Sequence, residues 1–331
     1  MHAAYIERFG PPDVIRYGPL PDPRPGPHDV LVEVTAVAVN HVDTFVRSGA
    51  WRTEVSFPFV IGRDLAGTVV EAGPGAPGFA PGDRVWCNSL GHAGRQGAAA
   101  ELAVVPADRL YRIPDGADDA ELVALAHPAA TAYLALFTHG RVRAGQNVVV
   151  VGAAGNVGSA LVTMAAQAGA HVVAVARAEH ADAVRSRGAA EVVDYRDPDA
   201  AELIRKASGP DGVDLYLDTA ARNDLTTAVD LLAKGGRIVV LSGMHTRPVL
   251  PVGPLYLKNC SVAGFAISQA TTTELAEAAA HIGRLVAAGT LRPPGVERLP
   301  LSAAADAHRR VESGEATGRK LVLLPGLDRS T

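Results

Sequence analysis

Cysteine is scarce in this chain: two in 331 residues, Cys87 and Cys260, far apart. That excludes a disulfide framework and fits a reducing compartment, and both thiols read as small buried hydrophobes rather than nucleophiles. Excess charge is also lacking. Lys and Arg number 31 against 35 Asp and Glu, for a formal net charge of −4. With no long basic run, nothing points to nucleic acid or an anionic membrane. The first ten residues carry Glu7 and Arg8 and have no apolar run, so no secretory signal is expected and the location reads as cytoplasmic. One stretch, residues 147–176, has no fully charged side chain over about 30 positions, longer than a membrane span requires. Gly152, Gly155, Gly158 and Gly169 interrupt it, with Asn156, Gln167 and His171. It therefore divides into strand, turn, helix and strand rather than one span, and no membrane association is expected.

What is present suits two domains with ample core, since 48% of the residues are apolar. Residues 1–120 read as short strands, among them 30–39, 67–71 and 84–86, separated by Pro and Gly and preceded by Pro19, Pro21, Pro23, Pro25 and Pro27. Over 121–264 strands and helices alternate, with candidate strands at 147–151, 171–175, 191–193, 215–218, 237–241 and 261–265. That alternation predicts a doubly wound parallel sheet. The tail, 265–331, carries helical runs at 273–288 and 303–313 and a strand at 320–324. The expected class is α/β.

The strongest local signal is Val148-Val149-Val150-Val151-Gly152-Ala153-Ala154-Gly155-Asn156-Val157-Gly158. A buried strand runs into a glycine turn and an Ala-rich helix, with Ala153 at the first position of the G-x-G-x-x-G frame. Gly155 lets the backbone approach a pyrophosphate, Gly158 lets the helix pack on the sheet, and the helix N-terminus offers free N–H groups. The second strand ends at Ala176-Arg177, about 20 residues on, where NAD-binding chains place an acidic residue. Arg177 can pair with a 2′-phosphate, so NADPH is the expected cofactor, although Glu179 and Asp182 temper the local potential.

Landmarks along almost the whole chain carry a resemblance. They are Asn40-His41-Val42-Asp43-Thr44-Phe45-Val46-Arg47-Ser48-Gly49, Gly62-Arg63-Asp64-Leu65-Ala66-Gly67, Gly82-Asp83-Arg84-Val85, Ala129-Ala130-Thr131-Ala132-Tyr133, the glycine turn, Asp194-Tyr195-Arg196, Gly235-Gly236-Arg237 and Thr317-Gly318-Arg319-Lys320. In this order the chain resembles medium-chain dehydrogenases/reductases of the quinone oxidoreductase (zeta-crystallin-like) branch. The resemblance implies a GroES-like β-rich catalytic domain built from both chain ends, a Rossmann domain between them, and a cleft where they meet. It also implies a dimer joined along the edge strand at 261–265, which would cover an exposed ladder.

Zinc alcohol dehydrogenases of the same superfamily place ligands at positions matched here by Asn40, Arg63 and His127. Asn is a poor ligand for zinc, Arg is none, and no thiolate remains. No metal is expected, and His127 reads as a hydrogen-bonding pocket residue. Hydride then needs an acceptor activated by conjugation. Asn40 is expected to bind substrate or the nicotinamide ribose, and Asp43 to orient that network or relay a proton. His41 is a candidate donor, though alternation with Asn40 would aim it elsewhere. Arg63 and Asp64 read as a structural ion pair, with Arg63 within reach of a polar substrate edge. Phe45 and Trp51 stand where relatives often have Tyr, which favours stacking on a planar apolar acceptor. Trp51 is equally explained as loop packing.

The resemblance further implies cofactor contacts at Thr131, Ala153, Gly155, Asn156, Val157, Gly158, Arg177, Tyr195, Ser242, Gly243, Phe265, Ala266 and Ile267. Arg319 and Lys320 match a basic pair that touches phosphate, and 91–97 reads as a mobile loop. Three functions fit: an NADPH-dependent quinone reductase acting by hydride or single-electron transfer, an NADPH-dependent reductase of an activated alkene, and a non-catalytic NADPH-binding protein.

Overall fold

A computed structural model describes residues 1–330, organised as two units: Met1–His127 together with the chain from Thr271 onward, and Pro128–Ala270.

The first unit is built around one long strand, Asp29–Ala38, whose β-branched sequence suits a buried pleat. Asp64–Ala72 pairs with it antiparallel on one side, with Ala38 opposite Asp64. Arg84–Cys87 and Tyr111–Arg112 continue the sheet beyond. Lys320–Leu324 pairs with it antiparallel through Val322 opposite Ala38 and Leu323 opposite Val37. The C-terminal strand is thus stitched to the long N-terminal one. The core of this unit gathers Val32, Val34, Val37, Leu65, Val85, Leu321 and Leu323 between the sheet and its surroundings. Glycine is obligatory at Gly67, where a Cβ would stand 2.2 Å from the Glu33 carbonyl oxygen.

The second unit is a six-stranded parallel sheet in the order Glu191–Asp194, His171–Ala176, Asn147–Val151, Val213–Asp218, Leu232–Val240, Ser261–Gly264. The order reverses between Asn147–Val151 and Val213–Asp218, and the crevice beyond their C-terminal ends is where such sheets bind ligands. The uncharged stretch 147–176 is strand, helix Asn156–Gln167 and strand. One helical run, Asp119–His139, is long and apolar enough to cross a membrane by length and composition, but 78% of its apolar 18-residue stretch is buried inside the protein, as in a core helix.

The boundaries differ from those read in the sequence. The helix Asp119–Tyr133 runs across the expected boundary and carries Pro128 inside it, and the first unit extends to His127 instead of ending at 120. At the other end the edge strand stops at Gly264, and the chain leaves the second unit only at Thr271. There Thr271 and Glu274 form a reciprocal capping box that starts the helix Thr272–Ala287.

Candidate active site

In the first unit the site forms where the central strand runs out. Asn40 follows that strand and caps the helix His41–Ser48. The Asp43 carboxylate accepts the Asn40 backbone N–H at 2.7 Å, and this fixes the helix start. The Asn40 side chain is spent elsewhere. Its Nδ2 donates to Asp64 Oδ2 at 2.8 Å, and its Oδ1 accepts from Lys320 Nζ. Strand register produces this meeting. Continuing the pairing past Val322 and Ala38 sets Lys320 opposite Asn40, while Asp64 begins the strand on the other side.

Asn40, Asp43, Arg63, Asp64 and Lys320 are all buried, so two carboxylates and two cations share one water-poor place. Burial raises the Asp43 carboxyl pKa to about 6, against the Asn40 N–H and the charges of Arg63 and Lys320. Burial likewise raises Asp64, to about 7, opposed first by Lys320 and reinforced by Asp43. Lys320 is lowered by burial, with Asp64 and Asp43 pulling it back up. His127 Nδ1 lies 4.0 Å from Asp64 Oδ1, and desolvation followed by the charges of Arg63 and Lys320 holds its imidazole well below the ordinary value. His127 is therefore neutral near pH 7, a hydrogen-bonding group. One oxygen each of Asp43 and Asp64 has no hydrogen-bond partner.

Several expectations change here. Lys320 does not stand with Arg319 as a phosphate-binding pair: Lys320 turns inward to Asn40, whereas Arg319 pairs with Glu297 at 3.1 Å. Lys320 opens a strand, and Arg319 lies in the bend before it. Asp64 is not simply the partner of Arg63, because its hydrogen bond comes from Asn40 and Arg63 acts on both carboxylates. His41 opens a helix rather than continuing a strand, so alternation does not decide its direction. It is exposed as a residue, yet crowding at its ring and the charge of Lys320 lower its pKa. Phe45 and Trp51 are half-buried and linked through Trp51 N–H to the Phe45 carbonyl at 3.0 Å, and Trp51 packs on the core, which favours its packing role. The loop 91–97 is tied down. Gln96 accepts from Val60 N–H at 2.7 Å and donates to the Ser56 and Pro58 carbonyls, and Arg95 Nε donates to the Ser89 carbonyl.

In the second unit the glycine turn has the form expected. Gly155 caps the helix Asn156–Gln167 without a side chain to block its N–H groups. A Cβ on Gly158 would stand 2.1 Å from the Gly152 carbonyl oxygen, so only glycine lets helix and turn approach this closely. Ala153 is fully buried and Val157 sits in the first helical turn. Asn156 Oδ1 is buried without a partner, an unanswered acceptor at the helix start. The turn itself is made by Gly152, at φ 80°, where a Cβ would strike Thr219 Oγ1 at 2.5 Å. Together these residues can hold a pyrophosphate.

At the end of the next strand, Arg177 Nε donates to the Tyr195 hydroxyl at 3.1 Å, and Arg177 pairs with Glu179 at 3.3 Å. The Arg222 guanidinium lies 4.4 Å from the centre of the Tyr195 ring. Arg222 was not legible in the sequence, because only the fold brings the loop after Val213–Asp218 to this strand end. Ser242 is anchored by donating to the Asp218 carbonyl at 3.0 Å, and Gly243 takes φ 87° beside Asn223. Phe265 stacks on His139 at 4.5 Å, followed by Ala266 and the buried Ile267. Thr131 is buried on the helix Asp119–Tyr133.

Known proteins place this geometry. The description "Alcohol dehydrogenase GroES-like domain" matches residues 26–115, and "Zinc-binding dehydrogenase" matches 156–284. A human quinone oxidoreductase is 32% identical over 98% of both chains. A solved NAD-dependent alcohol dehydrogenase superposes with TM-score 0.87 at 32% identity, covering 98% of this chain and 99% of its own. The Escherichia coli quinone oxidoreductase complexed with NADPH superposes with TM-score 0.84 at 25% identity, covering 98% and 100%. The chain belongs to the quinone oxidoreductase family of medium-chain dehydrogenases/reductases, and it is an oxidoreductase.

A zinc ion does not fit the first unit's site. Asn40, Arg63 and His127 offer at most one good ligand, and the ammonium of Lys320, bonded to Asn40, would repel the ion. Among the described residues no group of three or more His, Cys, Asp or Glu side chains is placed to hold a metal.

Proposed function

We propose that this protein is a zinc-independent, NADPH-dependent quinone oxidoreductase. The observation that carries the reading is the replacement of a metal site by the hydrogen-bonded set Lys320, Asn40 and Asp64, flanked by Arg63 and His127. Such a site polarises an acceptor through hydrogen bonds and suits substrates already activated by conjugation. A nicotinamide supplies hydride when bound. The second unit holds its pyrophosphate over Gly155, Asn156, Val157 and Gly158. Arg177, Tyr195 and Arg222 form a cationic, aromatic surface suited to a 2′-phosphate, which supports NADPH over NADH. The first unit binds the acceptor, with Asn40 directed at a polar atom and Phe45 offering flat apolar surface. Asp43 holds Asn40 and the helix start in place.

The same reading includes a cytoplasmic homodimer. Ser261–Gly264 closes the parallel sheet on one side, and beside it the short helix Val252–Leu257 exposes Val252, Tyr256 and Leu257.

The test is oxidation of NADPH and of NADH with a small quinone and a small enone, in the presence of a chelator. Chelator-resistant turnover of the quinone, faster with NADPH, is expected. Turnover of the enone alone would replace this reading with an alkene reductase. Tight NADPH binding with no turnover of either acceptor would overturn it in favour of a binding protein.

A further inference from the structure

The Asn40 amide has two polar ends, and chemistry decides which way it faces. An ammonium only donates, so the atom facing Lys320 is Oδ1. A carboxylate only accepts, so the atom facing Asp64 is Nδ2. With one lone pair of Oδ1 taken by Lys320 and one N–H by Asp64, the amide keeps a second N–H to donate, on the side it shares with Asp43. We propose that Lys320 is a positioning residue that locks Asn40 as a hydrogen-bond donor to the oxygen of a conjugated carbonyl acceptor. The inference rests on Asn40 being the acceptor-binding residue of the reading above.

The consequence is selectivity for acceptors whose charge lands on oxygen. A bound reduced nicotinamide would supply the hydride; its addition to a conjugated carbonyl system would move an electron pair onto that oxygen, and a proton from water would complete the reduction. The amide contributes a hydrogen bond and keeps its own protons. Lys320 withdraws density from Oδ1, which strengthens the N–H as a donor. A donor already in place at the developing oxyanion needs no reorganisation during the reaction.

Lys320 also sets the charge state of the groups around it. Facing this cluster are His41 and Asp43 on the helix His41–Ser48, Arg63 and Asp64 at the start of the neighbouring strand, His127 on the helix Asp119–Tyr133, and more distantly Cys87 and Arg109. Asp43 and Asp64 are both held down by the charge of Lys320 against the effect of burial. Removing that charge moves both carboxyls upward, so a rate that needs them ionised recovers only at higher pH.

The experiment compares Lys320→Met, Lys320→Gln, Asn40→Ala and the double variant Asn40→Ala/Lys320→Met in the full chain, with a small quinone and NADPH varied up to saturation. Lys320→Met should lower kcat about tenfold or more, leave the KM for NADPH unchanged, and shift the acid limb of the pH profile upward. On the Asn40→Ala background the same change should cost almost nothing further. Lys320→Gln restores a donor to Oδ1 without the charge, so it should retain most of kcat while keeping the shifted limb. It also carries the test should the methionine variant fail to fold. Full additivity of Lys320→Met and Asn40→Ala, or an unchanged kcat in Lys320→Met, would overturn the inference. An Asn40→Ala protein with wild-type kcat and KM would instead refute the acceptor-site reading on which it rests.

Discussion

Replacing Arg177 by Ala tests the cofactor assignment with a clear sign. Arg177 is held by two hydrogen bonds, Nε to the Tyr195 hydroxyl and Nη1 to the Glu179 carboxylate, and its side chain is 51% exposed. A hydrogen bond between an arginine and a phosphate contributes about 1.5 to 3 kcal/mol, and exposure places this one at the lower end. At 1.4 kcal/mol per tenfold, the expected loss in kcat/KM for NADPH is about tenfold to thirtyfold. NADH carries no 2′-phosphate and should lose little. Arg222→Ala should behave alike, since Arg222 lies over the same Tyr195 ring. The two changes should couple when combined, because they share that neighbour. Added salt should shrink the wild-type preference, as it does for exposed charges. The measurement is kcat/KM for both nucleotides in each variant. Equal losses for NADPH and NADH would show that Arg177 supports the fold of the strand end and does not read the phosphate.

Three further outcomes follow from the geometry. Gly158→Ala places a methyl 2.1 Å from the Gly152 carbonyl oxygen, so it should destabilise by about 1 to 3 kcal/mol and weaken cofactor binding, seen as a lower Tm and a higher Kd. Asp43 has a folded pKa near 6, above its ordinary 3.8, so its contribution to stability is complete below about pH 4 and is lost as pH rises through 6. Asp43→Asn should therefore gain Tm relative to wild type over that window, and a difference in Tm that stays flat with pH would refute the raised pKa. Leu257→Asp puts a charge on the exposed apolar helix beside the edge strand and should give a monomer by light scattering, whereas an unchanged dimer would place the interface elsewhere.

Local patterns were legible in the sequence, and long-range register was not. The run from Val148 to Gly158 identifies strand, turn and helix because buried parallel strands are continuously apolar and the close approach at Gly158 admits no side chain. The strand Asn147–Val151 begins and ends where the sequence put it, and the neighbouring strand extends one residue further than expected, to Ala176. Adjacency in sequence suggests that Lys320 and Arg319 share a basic patch. The place of Lys320 at Asn40 depends on a strand pairing between residues about 280 apart, which no local pattern reveals. The place of Arg222 is hidden from the sequence for the same reason. It follows a strand with no special signature, and only the parallel order of the sheet brings it to Tyr195.

The buried cluster explains why the positions matched to zinc ligands do not simply become apolar. Asp64 and Lys320 open two strands that flank the central one, and Asn40 lies just past its end. An isolated charge at any of these places would be costly. Two carboxylates and two cations balance, and Asn40 bridges the two sides with one acceptor and one donor. Deleting one member leaves its opposite uncompensated, so the set is retained or lost as a group. A metal dehydrogenase polarises its substrate with an ion held by side chains. In the function proposed above, fixed charges and one amide provide the polarity, and they stand at the ends of the strands that make the fold.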